Sequence, residues 1–296
     1  MARIFVSGAN GFIGRALTAQ LLRAGHNVIG GVRVAVPLAD GVCPLITGDL
    51  AESVPALENV DVVIHTAGLA HQNGRSVEDM KRGNVIAAEK LAAATPKTAR
   101  FIFLSSIVVH GRANATLITD TTPPAPADDY ARSKLAAEQA LRAQLGPRLH
   151  IIRPTAVIGP HCPGNISLLI KALRMGIPLP LGAIHNARSF IDIADLTNLI
   201  ARLVQGDAPR LVLAAHPRPI STPELIRALA LGLHRPARLL PVPPAWLALA
   251  ARAAGRSRMW QSLSGNLVVK PEAALHSGWL PMHELTVSLQ KTAEAS

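Results

Sequence analysis

Short apolar runs alternate with amphipathic segments over the first 214 residues of the chain. Runs this short and this apolar are typical of strands buried on both faces of a sheet. The predicted strands cover residues 4–6, 27–32, 44–47, 61–65, 100–104 and 211–214. Between them, apolar residues recur every three or four positions, which predicts helices, the longest at 77–94, 130–145 and 192–204. This alternation predicts an α/β fold with a doubly wound parallel sheet.

Three glycines, Gly8, Gly11 and Gly14, separate the first predicted strand from the first predicted helix. A strand, a glycine turn and a helix present free backbone N–H groups at the helix N-terminus, where a pyrophosphate binds. Glycine is needed because the backbone turns sharply and approaches the ligand closely. An ordinary strand-to-helix turn is the alternative, but the order of elements favours a dinucleotide site. The candidate cofactor-binding residues here are Gly8, Asn10, Gly11, Phe12, Ile13 and Gly14.

The second predicted strand ends in Gly30-Gly31-Val32-Arg33 and has no acidic residue there. In NAD-binding folds an acid at this place receives the ribose hydroxyls, whereas an arginine accepts a 2′-phosphate through charge-assisted hydrogen bonds. Arg33 therefore favours NADP(H), with NAD(H) as the alternative cofactor. A solvated arginine that contacts no cofactor is the other interpretation.

The fourth predicted strand is followed by the small residues Thr66, Ala67 and Gly68, which would let the strand end pass beside a cofactor. His71 comes a few residues later, in a loop at the carboxyl edge of the sheet. Pocket lining and simple solvation are both consistent with a histidine in that loop.

Composition and charge narrow the class of protein. The 296 residues are 49% hydrophobic and 3% aromatic, which supports a mostly aliphatic core in one large α/β unit or two coupled domains. The formal net charge of +11 comes from scattered arginines, and with so few aromatics it argues against a nucleic-acid partner. Such a field suits polyanionic ligands, although an arginine-rich genome would give the same composition.

Cysteine usage and hydropathy bear on location. Cys43 and Cys162 form neither a disulfide framework nor a metal-ligand pattern, so we expect no metal site and a reducing cytoplasm. We expect no signal peptide either, because the first strand begins directly after Met1 and Ala2. Prolines and Arg252 interrupt the apolar stretch 239–254, which is too short to span a bilayer. Core packing of this stretch as a helix is favoured over a position at a membrane surface.

Three residues suited to carbonyl chemistry follow the fifth predicted strand. Tyr130 and Lys134 are four apart on a predicted helix and share a face. A tyrosine has an unperturbed pKa of about 10, and a nearby ammonium group lowers that pKa. Lys134 is also suited to hold the nicotinamide ribose, and Ser106, at a strand end, to bond the oxygen that Tyr130 protonates. A surface tyrosine beside a lysine is the alternative, although Tyr130 is the only tyrosine of the chain.

In this order, the motifs resemble those of the extended short-chain dehydrogenase/reductases, specifically the sugar-nucleotide epimerase/dehydratase branch. The resemblance runs nearly end to end and implies a Rossmann domain with Ser106, Tyr130 and Lys134 as catalytic residues. It also implies that Asp49 and Leu50 lie against the adenine, although helix capping is a second role for Asp49.

Later segments match the same family. Residues 153–160 look like its sixth strand and the loop beyond, which implies that Pro154 and Val157 lie against the nicotinamide. Arg188 matches an arginine that binds the diphosphate of a nucleotide-sugar, with a solvated arginine as the alternative. Ser105, Ser106 and Asn165 would face the same substrate. His110 stands where relatives carry Tyr or Asn, which leaves the sugar contact there open.

The resemblance also implies the domain organisation and the assembly. Residues 1–160, joined by about 190–215, would form the NADP(H)-binding domain. Residues 161–189 and 216–296 would form a smaller mixed domain over the sugar site. Relatives pair through two long helices, so we expect a homodimer formed by segments 77–94 and 130–145.

Three reactions compete within the branch. Dehydratases carry an Asp-Glu pair directly after the strand-end serine, where this chain has Ile107 and Val108, and aliphatic side chains transfer no protons. Arg33 favours NADPH and therefore a reductase. Residues 180–186, 221–224 and 235–238 look like those of the bacterial reductases in this branch that act on UDP-2-acetamido-2,6-dideoxy-4-keto-hexoses. This resemblance implies reduction of the C4 ketone of such a substrate, for surface polysaccharide synthesis. A UDP-sugar 4-epimerase acting on UDP-Glc/Gal or UDP-GlcNAc/GalNAc is the alternative. A non-catalytic NADP-sensing regulator is an alternative of another class, disfavoured by the intact serine, tyrosine and lysine.

Overall fold

A seven-stranded parallel sheet forms the centre of the molecule. The computed structural model describes residues 1–69, 76–205 and 209–296. The strands of the sheet are β1 (Arg3–Ser7), β2 (Asn27–Val32), β3 (Cys43–Ile46), β4 (Val62–His65), β5 (Arg100–Leu104), β6 (Leu149–Pro154) and β9 (Leu211–Ala214). Their spatial order is β3-β2-β1-β4-β5-β6-β9, and every neighbouring pair is parallel. The predicted doubly wound parallel sheet is confirmed.

Side chains alternate between the two faces of this sheet, as the period of a strand requires. On one face, Ile4 and Val6 pack with α1 (Phe12–Arg23) and α6 (Ile193–Gln205). On the other face, Phe5 packs with α3 (Ala87–Ala93) and α4 (Asp129–Leu145). Because helices cover both faces, the central strands are mostly apolar, which explains why their runs stood out in the sequence, whereas the edge strand β3 is largely exposed.

The segment predicted as one helix over 77–94 is divided in three. A short helix α2 (Val77–Met80) leads into a π-helical turn at Lys81–Ile86, and α3 follows. Asn84 lies in the π turn, and its side chain bonds the backbone of Leu69 and the hydroxyl of Ser133. The wider turn therefore ties the segment after β4 to the helix that carries Tyr130.

A second core lies beyond the sheet. It brings together two short parallel strands, β7 (Ala156–Ile158) and β8 (Phe190–Asp192), with three helices. The helices are α5 (Asn165–Arg174), α7 (Thr222–Gly232) and α11 (Leu285–Glu294). This core agrees with a smaller mixed domain, but the division at residue 216 stays a prediction. Trp279 is buried in the core of the main sheet, and its indole N–H donates to the carbonyl of Asp195.

The apolar stretch 239–254 packs against the second core on one side only. It forms α8 (Pro244–Ala253), which has no fully buried residue and packs against α9 (Ser257–Ser264). Leu239 and Leu247 are half-buried against the second core, so the expectation of core packing holds for this side and not for the exposed side that carries Trp246 and Leu249. The last remaining helix is α10 (Glu272–His276). Across the described ranges, no helix combines the length and the apolar character that a membrane span needs.

Candidate active site

A cavity of about 270 Å³ opens at the carboxyl ends of β1 to β4. Because parallel strands end at one edge, this is where an open α/β sheet binds ligands. Nine of the predicted cofactor residues line it: Gly8, Asn10, Gly11, Arg33, Asp49, Leu50, Thr66, Ala67 and Gly68. The cavity is thus a cradle built from residues that the sequence singled out. We call it the nucleotide cavity, and nucleotide binding there stays a prediction.

Two glycines shape this cradle for steric reasons. Gly8 has a φ of +71°, in the left-handed region that other residues seldom adopt. Gly14 does not line this cavity. A Cβ atom on it would come within 2.1 Å of the carbonyl oxygen of Gly8. That contact would push α1 off the turn, so Gly14 acts through helix packing rather than ligand contact.

Arg33 and Asp49 both line the nucleotide cavity, but they differ in their bonding. Arg33 is exposed, and within the described residues its side chain makes no hydrogen bond or ion pair. One carboxylate oxygen of Asp49 accepts from the N–H of Ala51 at 3.0 Å, and the other accepts from Arg82 at 2.9 Å. These contacts, the backbone one first, lower the pKa of Asp49. Among the described residues no helix directly follows Asp49, so helix capping, its second predicted role, is wrong, and the carboxylate caps a turn at residues 49–52 instead. Its contact with adenine stays a prediction.

A second cavity, of about 350 Å³, lies between the sheet and the second core. It contains six predicted site residues: Phe12, Ile13, Ser106, Val157, Asn165 and Arg188. Its other walls include Arg112, Phe190 and Leu263. We call it the substrate cavity, because three of the predicted substrate residues line it. Five predicted residues, Gly14, Ser105, Tyr130, Lys134 and Pro154, line neither cavity.

Tyr130 lies in the first turn of α4, where Asp128 caps the helix by accepting from the N–H of Ala131. Burial raises the pKa of Tyr130, while a hydrogen bond from Ser106 and the charge of Arg112 oppose that rise. The expected lowering of this pKa by Lys134 is thus not found. At neutral pH the phenol keeps its proton, which suits a proton donor.

Lys134 is fully buried one turn further along α4. Its ammonium donates to the carbonyl of Leu104 at 3.0 Å and lies 4.8 Å from the centre of the Phe103 ring. A Cβ atom built on Gly68 would lie 3.2 Å from Nζ, so this amine reaches the edge of the nucleotide cavity. Burial lowers the pKa of Lys134 to about 8, although Glu138 opposes the shift.

Ser105 and His110 belong to a buried polar network rather than to the substrate cavity. Ser105 donates to Glu138 at 2.5 Å, and Arg153 donates to both carboxylate oxygens of Glu138. Arg153 also lies 2.9 Å from Nε2 of His110. The prediction that Ser105 contacts substrate is not supported, because neighbouring strand residues point to opposite faces. His110, where the resemblance left the sugar contact open, therefore belongs to the same buried network.

Arg188 lines the substrate cavity but its guanidinium already has partners. Nη1 donates to the carbonyls of Gly265 at 2.7 Å and Arg112 at 3.2 Å. Burial lowers the pKa of Arg188 to about 10, and the charge of Arg112 adds to this effect. Diphosphate binding by Arg188 stays a prediction that requires exchange of these contacts.

Sequence reasoning missed Arg112. This residue pairs with Asp128, lines the substrate cavity and carries a buried Nη2 that has no hydrogen-bond partner among the described residues. Its one sequence signal was its place at the start of the long proline-bearing loop before α4. His71, the other loop residue considered, lies outside the described residues.

Comparison with known proteins agrees with this geometry. Residues 4–213 match the family model described as NAD dependent epimerase/dehydratase family. The chain is 33% identical to a UDP-glucose 4-epimerase of Vibrio cholerae, over 99% of this chain and 94% of the relative. It is 28% identical to a dTDP-6-deoxy-L-talose 4-dehydrogenase (NAD(P)(+)) of Kitasatospora kifunensis, over 98% and 94%.

Solved structures share the fold. The human epimerase family protein SDR39U1, crystallised with NADPH, superposes with a TM-score of 0.81 at 21% identity, covering 99% of this chain and 100% of the other. MoeE5 in complex with UDP-glucose and NAD gives a TM-score of 0.78 at 23% identity, covering 99% and 98%. The matched family model and the Vibrio relative show that the chain belongs to the NAD dependent epimerase/dehydratase family. It is an NAD(P)-dependent enzyme of the extended short-chain dehydrogenase/reductase type.

Proposed function

We propose that this chain reduces the C4 ketone of a UDP-2-acetamido-2,6-dideoxy-4-keto-hexose with NADPH. The proposal depends on Arg33. This exposed cation lines the nucleotide cavity at the end of β2, where the chain has no acidic residue. A guanidinium there suits a 2′-phosphate, whereas the ribose hydroxyls of NAD would lack their usual carboxylate. A reductase exchanges NADPH at each turnover, while an epimerase of this branch usually retains NAD.

The walls of the substrate cavity support a reductase over a dehydratase. Ile107 and Val108 line the cavity directly after Ser106, and neither side chain carries a proton to transfer. Arg188 and Arg112, the latter paired with Asp128, bring two guanidinium groups to the same cavity, which favours a ligand with a diphosphate. The largely apolar remainder suits a sugar ring that lacks its 6-hydroxyl.

The cofactor fits the nucleotide cavity, because its glycine cradle leaves backbone N–H groups of α1 for the pyrophosphate. Gly8, Gly11 and Arg33 would hold it, and when bound it supplies a hydride to the carbonyl carbon. Tyr130, which bonds Ser106 at the wall of the substrate cavity, would give its proton to the carbonyl oxygen. Ser106 orients the same oxygen.

The names of two relatives are consistent with reduction at a keto sugar. One is the dTDP-6-deoxy-L-talose 4-dehydrogenase described above. Another is a GDP-6-deoxy-D-mannose reductase of Pseudomonas aeruginosa, 31% identical over 70% of this chain and 72% of the relative. Both names describe redox chemistry on 6-deoxy sugar nucleotides.

The direct test supplies the purified protein with the 4-keto sugar nucleotide and NADPH and follows the loss of NADPH absorbance. We expect oxidation of NADPH in step with appearance of the 4-hydroxy product. The Vibrio relative favours 4-epimerisation as a second candidate. Interconversion of UDP-GlcNAc with UDP-GalNAc, or of UDP-Glc with UDP-Gal, without NADPH oxidation would replace the reductase by the epimerase.

We also propose a homodimer through α2–α3 and α4. These segments pack side by side on one face of the sheet, so two copies can form a four-helix interface. Light scattering coupled to size-exclusion chromatography tests this. A monomer at micromolar concentration would contradict it.

A further inference from the structure

The helix α8 presents an apolar face to solvent. Trp246, Leu249, Ala250 and Ala253 are spaced as one helical face, and all four are exposed. Trp246 is 74% exposed and Leu249 is 71% exposed, among the largest values for big apolar side chains in the described residues. The opposite face is only half-buried, with Leu247 against the second core. Exposed apolar faces of this kind mark interaction surfaces.

The chain segment that carries this face has charges of one sign only. Residues 225–271 contain no Asp or Glu, and they contain seven Lys or Arg. Arg252 lies on α8 itself, and Arg256 follows in the turn to α9; both are exposed. Arg235 and Arg238, on the segment that leads into α8, are exposed as well. A partner for this surface must therefore be apolar at its centre and anionic around it.

We propose that α8 docks this protein on an anionic lipid surface, lying in the plane of the interface. Tryptophan and leucine side chains enter the boundary between headgroups and acyl chains, where the amphipathic indole is favoured. The arginines extend apolar stems along the surface while their guanidinium groups reach lipid phosphates. This binding adds a location to the enzyme and is independent of the proposed reaction.

A second copy of the chain fits this surface less well. A two-fold interface would place the same patch on both partners, so the arginines of one copy would face those of the other. Such repulsion is absent on an anionic bilayer, where each arginine near the surface adds attraction. Charge complementarity therefore favours lipid over self-association.

Docking would also bear on the substrate cavity. The helix α9, which packs against α8, contributes Ser262 and Leu263 to the walls of that cavity. A bilayer against α8 therefore lies one helix away from the sugar site. This arrangement suits an enzyme whose product is consumed by a reaction at the membrane.

Vesicle co-sedimentation of the full chain tests the proposal. We expect binding to vesicles of phosphatidylcholine mixed with phosphatidylglycerol, weak binding to phosphatidylcholine alone, and release at high salt. Trp246→Ser with Leu249→Ser should weaken partition by at least about tenfold, from the loss of apolar area. Arg252→Gln with Arg256→Gln should weaken it by about tenfold or more.

A matched control removes apolar side chains elsewhere. Leu280→Ser with Met282→Ser replaces two residues that are each 69% exposed, and it should leave binding unchanged. Thermal melting of every variant separates lost binding from lost folding. Because Trp279 is buried and Trp260 half-buried, quenching by brominated lipid should come from Trp246 and disappear in Trp246→Phe.

The proposal has clear contrary outcomes. Absence of binding by the wild-type chain to anionic vesicles would overturn it, as would equal binding to neutral and anionic vesicles. A concentration-dependent dimer that Leu249→Ser abolishes, without vesicle binding, would assign the surface to a second copy instead.

Discussion

The two cavities of this enzyme are built from different parts of the chain. The nucleotide cavity is walled by backbone and small residues, including Gly8, Gly11, Gly31, Gly48, Gly68 and Gly83. The substrate cavity is walled by large side chains that come from positions as distant as Phe12 and Leu267. A pocket made of backbone follows from strand order and a short glycine motif, whereas a pocket made of side chains depends on long-range packing. Chemistry should therefore be sensitive to side chains in one region and to backbone space in the other.

The sharpest test of this comparison is Tyr130→Phe. The change keeps the ring and its burial but removes the proton donor, so we expect kcat to fall by about a thousandfold. Cofactor affinity should stay within about twofold, because glycine backbone forms that cavity. Turnover assays and a fluorescence titration with NADPH measure the two effects. Full turnover in this variant would rule out Tyr130 as the proton donor. Equal biological activity of the wild type and Tyr130→Phe, despite the lost turnover, would favour the regulator alternative.

The adjacent serines provide a matched pair. Ser106 lines the substrate cavity and bonds Tyr130, so Ser106→Ala should lower kcat by about ten- to a hundredfold. Its hydroxyl also accepts a long hydrogen bond, 3.4 Å, from the N–H of Val108, so the melting temperature should fall only slightly. Ser105 bonds the buried Glu138, so Ser105→Ala should lower the free energy of unfolding by about 1–3 kcal/mol and largely spare kcat. Denaturant titration and steady-state kinetics distinguish them. A loss of kcat in Ser105→Ala with a loss of stability in Ser106→Ala would mean that Ser105, and not Ser106, faces the substrate.

Cofactor choice tests the nucleotide cavity. Arg33→Ala should raise the KM for NADPH by about tenfold or more and leave the KM for NADH unchanged, because only NADPH carries the 2′-phosphate. Arg23→Ala removes an exposed arginine from α1, away from both cavities, and serves as the control. Equal KM values for NADPH in wild type and Arg33→Ala would remove the main support for a reductase.

The pH profile should show the smallest effect. Burial lowers the pKa of Lys134 to about 8, so its ammonium is present below that pH and is lost above it. We expect kcat/KM to decline above about pH 8, by about tenfold one unit higher, with no such limb in Lys134→Arg. From pH 8 up to the ordinary lysine pKa, the unfolded chain binds the proton that the folded chain has lost. The free energy of unfolding should therefore rise with pH in that window.

Much of the fold could be predicted because its signals are local. The strands are apolar since both sheet faces are covered, and the turn at Gly8 to Gly14 lies within one short segment. The spacing of Tyr130 and Lys134 places both on one helix, which α4 confirms. Each of these features depends on residues that are near one another in the chain.

The remaining features depend on packing between distant residues. Glu138 lies one turn after Lys134 on α4, and it is buried because Arg153 of β6 pairs with it, a contact that the local sequence does not indicate. Arg112 gave no periodic signal, since its role comes from where a loop crosses the cavity. The stretch that became α8 was apolar enough for a core, and only the position of the neighbouring helices decides that its face stays outside.

Arg188 has a mechanical consequence for the substrate cavity. Its Nη1 donates to the carbonyl of Arg112 on one side and to that of Gly265 on the other, so a single guanidinium fastens two segments together across the cavity wall. An anionic ligand that takes those N–H groups must unfasten both segments as it enters. The ligand affinity at this end of the cavity would then be lowered by the free energy needed to break these hydrogen bonds. The rate of ligand exchange would depend on how often they break.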